Sequence, residues 1–146
     1  MSAKEPALGA AEELDLVDSL VQSSFLVQGI LRRVAAAHDL SVVQMRLLGI
    51  LRDREPGILA LARYLELDKS SVTGLVDRAE RRDLVERVAD PDDGRAVRVR
   101  LTKAGRTLAA QGTGEVGDEL RAVTADLSDP QRRQIAALLT RVVAAD

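Results

Sequence analysis

Apolar residues recur close to the helical period of 3.6 over several stretches of the chain, and these stretches define the predicted elements. Ser41 and Gln44 have the three-residue spacing of a capping box and predict a second helix that runs to about Arg54. Before it, residues 12–38 predict one long amphipathic helix, whose apolar positions are Leu14, Val17, Leu20, Val21, Phe25, Ile30, Leu31 and Val34.

A third and a fourth helix follow, separated by a short turn. Residues 58–65 predict the third helix, and Asp68 is a good N-cap for a fourth helix over residues 69–82. The small polar residues at the start of the fourth helix lie on the side opposite its apolar positions, so they are predicted to face solvent. Those apolar positions are Val72, Leu75, Val76 and Ala79.

The period of the pattern changes after the fourth helix. Residues 85–88 form a short stretch with the β-branched Val85 and Val88 at its ends, residues 90–94 are turn formers, and residues 96–101 alternate apolar with basic side chains. This pattern predicts a β-hairpin with one apolar and one basic face. Thr102 then caps a fifth helix, and a second capping box, at Ser128 and Gln131, opens a sixth.

Four helices, a hairpin and two further helices are the order of a winged helix-turn-helix. The predicted fold class is therefore mainly α with a small β-hairpin wing, an α+β fold with additional helices at the N-terminal and C-terminal ends.

Composition narrows the chemistry that this fold can carry. The 146 residues are 46% hydrophobic and 30% charged, as in globular proteins. There is no cysteine, one histidine, one Phe and one Tyr, which excludes thiolate chemistry and leaves little for a histidine metal site. No nucleophile with a base, glycine-rich phosphate loop or metal cluster is evident, so we predict neither an enzyme nor a cofactor nor a metal site.

The net charge of −2 conceals an uneven distribution. Residues 63–106 hold 11 basic and nine acidic residues, whereas the rest of the chain is acidic. Within residues 95–106 there are five basic residues and no acid: Arg95, Arg98, Arg100, Lys103 and Arg106. A basic stripe beside a polar helix face favours nucleic-acid binding over a merely solvated surface.

The fourth helix carries the candidate base and phosphate contacts. Backbone N–H groups and the helix dipole at its N-terminus favour a phosphate, and its polar face is predicted to enter a major groove. A merely solvated or capping role is the alternative interpretation, and the adjoining basic hairpin favours DNA. The candidate residues are Lys69, Ser70, Ser71, Thr73, Gly74, Asp77, Arg78 and Arg81.

These residues resemble the MarR family of bacterial transcription regulators. The resemblance is densest over residues 58–106, where the recognition helix, the hairpin and a Leu-Thr-x-x-Gly exit occur in order with the family's spacings. The stretches that carry it are residues 67–78, 81–87, 90–96 and 101–105, and residues 40–51 resemble the family's second helix.

The resemblance implies a repressor that a small phenolic or other anionic ligand releases from DNA. It also implies that Asp93 and Arg95 form the family's wing motif, in which the arginine enters the minor groove and the aspartate steadies the wing. An arginine at a hairpin tip can reach the narrow groove of A·T-rich DNA. Arg98 and Arg100 on the basic face are predicted to contact phosphates.

We expect a homodimer bound to double-stranded DNA. The apolar stripes of the first and sixth helices exceed what a small winged domain can cover, so a second copy is expected to bury them. In the family that the chain resembles, the first, fifth and sixth helices interlock. Recognition helices about one turn of DNA apart predict a pseudo-palindromic operator with half-sites centred about 10 bp from each other.

The chain divides into three predicted parts. Residues 39–106 form a DNA-binding domain, residues 12–38 and 107–146 form a helical dimerisation region, and residues 1–11 are a flexible N-terminus. That N-terminus does not read as a signal peptide, and there is no run of about 18 apolar residues, so we expect no membrane partner and a cytoplasmic location.

A ligand pocket is implied by the resemblance alone. The family's common pocket lies where the first, second and fifth helices meet the DNA-binding domain, which places Phe25, His38, Met45 and Arg46 near it. An apolar cleft with one cation suits a small anionic or aromatic ligand. The same residues also fit plain structural roles, Phe25 and Met45 in the core, His38 in a loop and Arg46 on the surface.

The sequence departs from the family in three places. Glu66 stands where glycine is common between the third and fourth helices, and a positive φ there costs about 1–2 kcal/mol for a residue other than glycine. Leu59 replaces the usual cap of the third helix, which leaves Gly57 as a weaker candidate. The sequence leaves open whether the fifth helix bends or breaks at Gly112, Gly114 and Gly117.

A winged helix can also serve as a protein-interaction module without DNA binding. The slight acidic excess of the chain is compatible with that alternative. The wing favours DNA, because a protein-binding hairpin would not need Arg95, Arg98 and Arg100 unopposed by acids.

Overall fold

The computed structural model describes residues 13–146, so the predicted flexible segment 1–11 lies outside the described residues. Helices and strands follow in the predicted order, and the fold class is confirmed. The elements are α1 (Leu16–Ala37), α2 (Val42–Ile50), α3 (Ile58–Leu65), α4 (Lys69–Arg81), β1 (Val85–Ala89), β2 (Val97–Leu101), α5 (Lys103–Val123) and α6 (Asp129–Val143).

Side chains at the predicted positions start four of these helices. Both capping boxes are formed; in the first, Ser41 Oγ accepts from the Gln44 N–H at 3.1 Å while the Gln44 side chain accepts from the Ser41 N–H at 2.8 Å. Asp68 caps α4, and Thr102 caps α5 by accepting from the Gly105 N–H at 3.0 Å. Short-range polar contacts therefore fix where these helices begin.

The turn between α3 and α4 is formed without glycine. Glu66 ends α3 in the left-handed conformation at φ 54°, as its position in the turn predicts, and Gly57 begins α3 without a side-chain hydrogen bond. Asp39 and Asp83 also have positive φ, at 54° and 57°. Three short connections of the fold are therefore made by acidic residues in a conformation that favours glycine.

The two strands form an antiparallel hairpin in which Val85 pairs with Leu101 and Ala89 with Val97. A third stretch of chain lies along the free edge of β2, where the Val99 N–H donates to the Pro56 carbonyl at 2.9 Å. The second helix ends at Ile50, before the predicted Arg54, because the chain must turn after it to reach this edge.

One hydrophobic core joins α2, α3, α4 and the hairpin; it includes Ala35 of α1 and Ala109 of α5, and Leu108 of α5 packs against it. Within it, Leu61, Val72, Val76 and Val99 have no exposed surface. The other members are Leu40, Leu47, Leu48, Leu51, Leu65, Leu75, Ala79, Leu84, Val85 and Leu101.

The fifth helix is continuous through its glycines, which answers the question that the sequence left open. It packs along α1 and α2, and this tertiary contact outweighs the weak helix preference of glycine. Gly114 faces open space, whereas a Cβ on Gly105 would lie 1.9 Å from the Leu84 carbonyl oxygen. Gly105 therefore sets how closely α5 approaches the base of the hairpin.

Most of the predicted apolar stripe of α1 is exposed. Only Ile30, Val34 and Ala35 of this helix are buried, and α6 buries none of its residues. The exposed apolar side chains of the two helices are Leu16, Val17, Leu20, Val21, Phe25 and Leu26 on α1, and Ile135, Leu138, Leu139, Val142 and Val143 on α6. Within residues 13–146, none of the helices has the length and hydropathy needed to span a membrane.

Candidate nucleic-acid interface

The fourth helix presents the predicted polar face to solvent. The apolar residues of α4 are all buried in the core, and the opposite side of the helix is not packed against other elements of residues 13–146. Lys69, Ser70, Ser71, Arg78 and Arg81 are exposed, and the remaining candidates, Thr73, Gly74 and Asp77, are half-buried. The structure therefore brings the predicted recognition residues onto one accessible helix.

The first turn of α4 is held by Asp68. Its carboxylate accepts from the Ser71 N–H and from the Ser71 hydroxyl, both at 2.8 Å, and these two hydrogen bonds lower the pKa of Asp68 from its usual range. The Thr73 hydroxyl donates to the Lys69 carbonyl at 2.9 Å. Ser71 thus helps to fix the start of the helix, the Thr73 hydroxyl is bonded within it, and the DNA contacts of both residues stay a prediction.

The last turns of α4 are tied to the hairpin by Arg87. Its guanidinium donates to Asp77 Oδ1 at 2.8 Å and to the Glu80 carboxylate. Asp77, predicted as a DNA contact, therefore has a role that the sequence did not reveal, because it fixes α4 against β1. Arg78 and Arg81, on the same helix, form no ion pair within residues 13–146 and are available for phosphates or bases.

A second arginine ties the end of α4 to the end of α1. Arg82 donates from Nη1 to the Asp39 carbonyl at 2.8 Å and from Nη2 to the His38 carbonyl at 3.1 Å. Sequence reasoning missed this contact, since its acceptors are backbone atoms more than 40 residues away along the chain.

The tip of the hairpin is a compact turn that presents Arg95. Asp93 Oδ1 accepts from the Arg95 N–H at 3.1 Å, and the Asp93 carbonyl accepts from the Ala96 N–H at 2.9 Å. The Arg95 side chain is exposed and makes no hydrogen bond or ion pair in the described part of the chain. Asp93 thus holds the backbone of the turn while the Arg95 guanidinium remains free.

The basic face of the hairpin is less basic than predicted. Arg100 Nε donates to Glu86 Oε1 at 2.7 Å, across the strand pair, and Arg98 lies 3.5 Å from Glu55 and 3.9 Å from Asp90. The interpretation of these arginines as unopposed by acids is wrong. The signal was present in the sequence, because the hairpin register places Glu86 opposite Arg100.

A cavity of about 500 Å³ lies between α1, α2 and α5. Its walls are mostly apolar. Gly112 lies beside Met45, and a Cβ added to Gly112 would be 3.9 Å from Met45 Sδ, an ordinary van der Waals distance. Its polar lining residues are His38, Arg46, Asp53, Arg54 and Thr113. The lining includes Leu31, His38, Met45, Arg46, Leu108 and Val116.

Three of the four predicted ligand residues line this cavity, namely His38, Met45 and Arg46. His38 Nε2 lies 2.9 Å from Glu115 Oε2, and Arg46 Nη2 donates to the Tyr64 carbonyl at 3.0 Å. Phe25 lies elsewhere on α1 with 60% of its surface exposed, so both its pocket and its core interpretations are wrong. A stripe on one helix does not reveal which of its residues face a given neighbour.

Comparison with known proteins supports the resemblance to the MarR family. The model of the MarR family matches residues 38–96, which cover the end of α1 through the wing tip. The HTH-type transcriptional repressor NicR of Pseudomonas putida is 35% identical over 80 residues, 54% of this chain and 51% of that protein. The match thus spans about half the length of NicR.

Two further relatives match over most of the chain. The homoprotocatechuate degradative operon repressor of Escherichia coli is 26% identical over 130 residues, 88% of each protein. The crystal structure of wild-type MarR from E. coli in its apo form superposes with a TM-score of 0.75 at 25% identity, over 90% of this chain and 98% of that one.

Proposed function

We propose that this chain, a member of the MarR family, is a sequence-specific DNA-binding transcriptional repressor that acts as a homodimer and is released by a small ligand. The observation that carries the DNA-binding part is the pairing of an exposed polar recognition helix with a free arginine on an ordered wing tip. Helix and wing together match the two grooves that a winged helix reads.

Arg95 provides the test of DNA binding. Its side chain has no partner to lose within the described residues, so Arg95→Ala is expected to leave thermal stability nearly unchanged. Affinity for operator DNA is expected to fall several-fold or more, most strongly where the flanks are A·T-rich. Arg121→Ala, an exposed arginine paired with Asp118 on α5, is the control and is expected to bind DNA as the parent does.

The operator comes from selection of random duplexes with the purified protein, followed by titration at two salt concentrations. We expect a pseudo-palindrome with half-sites centred about 10 bp apart. Failure to select any duplex would favour the alternative function, a winged-helix module that binds a protein. A selected sequence that Arg95→Ala binds with parental affinity would mean that the wing makes no essential contact.

The homodimer is supported by the exposed apolar side chains of α1 and α6. Leu16 and Val17 near the start of α1 are 74% and 68% exposed, and Leu138 and Val142 on α6 are more than half exposed. Apolar surface of this extent on a water-soluble protein marks an association surface. A sedimentation experiment that finds a monomer at micromolar concentration would contradict this part of the proposal.

The cavity between α1, α2 and α5 is the proposed ligand site. Its apolar walls and the neighbouring Arg46 and Arg54 suit a small aromatic carboxylate. The cavity touches α1 and α5, the helices that connect the winged domain to the proposed dimer contact, so a bound ligand can change how the two recognition helices are spaced.

Benzoate serves as the probe of this site. We expect it to weaken operator binding by the parent protein and to lose that effect in Met45→Trp, which fills the cavity without touching the DNA-facing residues. Leu59→Trp, at an exposed position outside the cavity, is the size-matched control for stability. An equal response of parent and Met45→Trp would place the ligand site elsewhere.

A further inference from the structure

A second cleft, of about 380 Å³, is lined largely by arginines and adjoins both the basic face of the hairpin, through Arg98 and Arg100, and the apolar cavity. It lies between the segment after α2, the middle of β2 and the first turns of α5. Five arginines and two acids line it together with two leucines: Arg52, Arg54, Arg98, Arg100 and Arg106, Asp53 and Glu55, and Leu51 and Leu101.

Three of the five guanidinium groups, those of Arg54, Arg98 and Arg100, lie within ion-pair distance of a carboxylate, and two do not. Arg100 has a close partner in Glu86, but Arg52 donates to the Thr113 hydroxyl at 3.2 Å and Arg106 to the Leu101 carbonyl at 3.0 Å. Both acceptors are neutral, so two full positive charges at the cleft have no carboxylate within ion-pair distance among residues 13–146. The lining therefore carries an excess of positive charge.

Arg98 supplies a second and independent observation. Its Nε is buried and has no hydrogen-bond acceptor, since the carboxylate oxygen beside it, Asp90 Oδ2, is 3.9 Å away; its Nη2 lies 3.5 Å from Glu55 Oε2. A buried donor without an acceptor is rare in folded proteins and indicates a missing partner such as an ion. Guanidinium groups bind carboxylate and phosphate oxygens with two parallel hydrogen bonds, which neutral surroundings cannot replace.

We propose that this arginine cleft binds an oxyanion, either a phosphate or a carboxylate group, at the base of the wing. The occupant is a free small anion or a backbone phosphate of DNA that flanks the operator, and the two share the same chemistry. The cleft shares Asp53 and Arg54 with the wall of the apolar cavity, so an anion here lies next to the proposed ligand site without occupying it.

Inorganic phosphate is the first probe, added to the full-length protein in chloride buffer at constant ionic strength. Calorimetry is expected to show saturable binding that weakens at least fivefold in Arg106→Gln and, separately, in Arg52→Gln. Both residues are exposed, so both variants are expected to fold. Arg121→Gln, on the same helix as Arg106, is the matched control and is expected to bind phosphate as the parent does.

Titration with operator DNA separates the two sources. If the occupant is a backbone phosphate, Arg106→Gln weakens operator binding, lowers its salt slope by about one, and free phosphate competes with DNA. If it is a free anion, the variant binds operator like the parent. The proposal is overturned if phosphate binding is not saturable, or if it is equal in all variants while their operator binding is also unchanged. DNA binding by the parent protein tests the proposed function separately.

Discussion

The winged lobe, residues 39–106, differs from the helices α1 and α6 in how far its apolar side chains are buried. Of the 18 buried hydrophobic side chains among residues 13–146, 14 lie in the winged lobe and none lies in α6. The lobe closes its core within one chain, whereas most apolar side chains of the two helices stay exposed. This difference fits the proposed homodimer, in which the lobe is stabilised by folding and the two helices by association.

The largest effect is expected inside the winged lobe, where the first turn of α5 packs against the base of the hairpin. Gly105→Ala would place a methyl group 1.9 Å from the Leu84 carbonyl oxygen, and this oxygen also accepts from the Thr102 N–H at 3.1 Å. Because both neighbours are backbone atoms, we expect the free energy of unfolding to fall by about 3 kcal/mol or more. Chemical denaturation measures it, and a variant as stable as the parent would contradict this assignment of Gly105.

Two leucine truncations, one in each region, are expected to lower stability in different ways. Leu61→Ala removes a fully buried side chain and is expected to cost about 2–5 kcal/mol at any protein concentration. Leu139→Ala, on α6, removes a side chain that is 42% exposed, so its cost is expected to appear only where it weakens the dimer.

Denaturation curves at protein concentrations two orders of magnitude apart distinguish these cases. The midpoint of Leu139→Ala is expected to fall on dilution more steeply than that of the parent, while Leu61→Ala is displaced equally at both concentrations. A concentration-independent effect of Leu139→Ala would remove the contrast between the two regions.

A smaller change of opposite sign is expected in α5. Gly114 is helical and an added Cβ meets no atom within 4 Å, so Gly114→Ala is expected to raise the free energy of unfolding by about 1 kcal/mol. Thermal melting of this variant beside Gly105→Ala compares two glycines on one helix. If Gly114→Ala were destabilising, the open side of α5 would have to be covered by a second copy.

The smallest effect is expected from the exposed cap of α4. Hydrogen bonds from Ser71 lower the pKa of Asp68, so this carboxylate stabilises the folded state above its unfolded pKa of about 4, and the contribution is lost as the pH falls through the lower folded value. Asp68→Asn keeps an acceptor at the cap but does not titrate. The melting temperatures of parent and variant are therefore expected to converge in acid, and a constant difference from pH 7 to pH 3 would argue against this titration.

Local signals in the sequence were sufficient for the order of elements. Ser41, Asp68, Thr102 and Ser128 cap helices at the predicted positions, because capping depends only on neighbours three residues away. The hairpin followed from its alternation of Val97, Val99 and Leu101 with arginines. The family resemblance was carried by the same local stretches and is supported by the comparisons.

Contacts between distant parts of the chain were not predictable in this way. The spacing of apolar residues on α1 could not show that Phe25 is exposed to solvent in the single chain. An apolar helix face has the same spacing whether it packs on its own core or on a second copy. The glycines of α5 have weak helix preference, and only packing against α1 and α2 explains why the helix continues. Arg98 lies 3.5 Å from Glu55, a residue outside the hairpin that no local pattern places beside it.

Arg82 connects the winged lobe mechanically to α1. Its two hydrogen bonds to the carbonyl oxygens of His38 and Asp39 join the residue that follows α4 to the two residues that follow α1. In a dimer held together through α1, any rotation of that helix against its partner is thus passed to α4 as a change of tilt. In the proposed complex with DNA, the angle between α4 and the groove would then depend on subunit association as well as on the winged lobe itself.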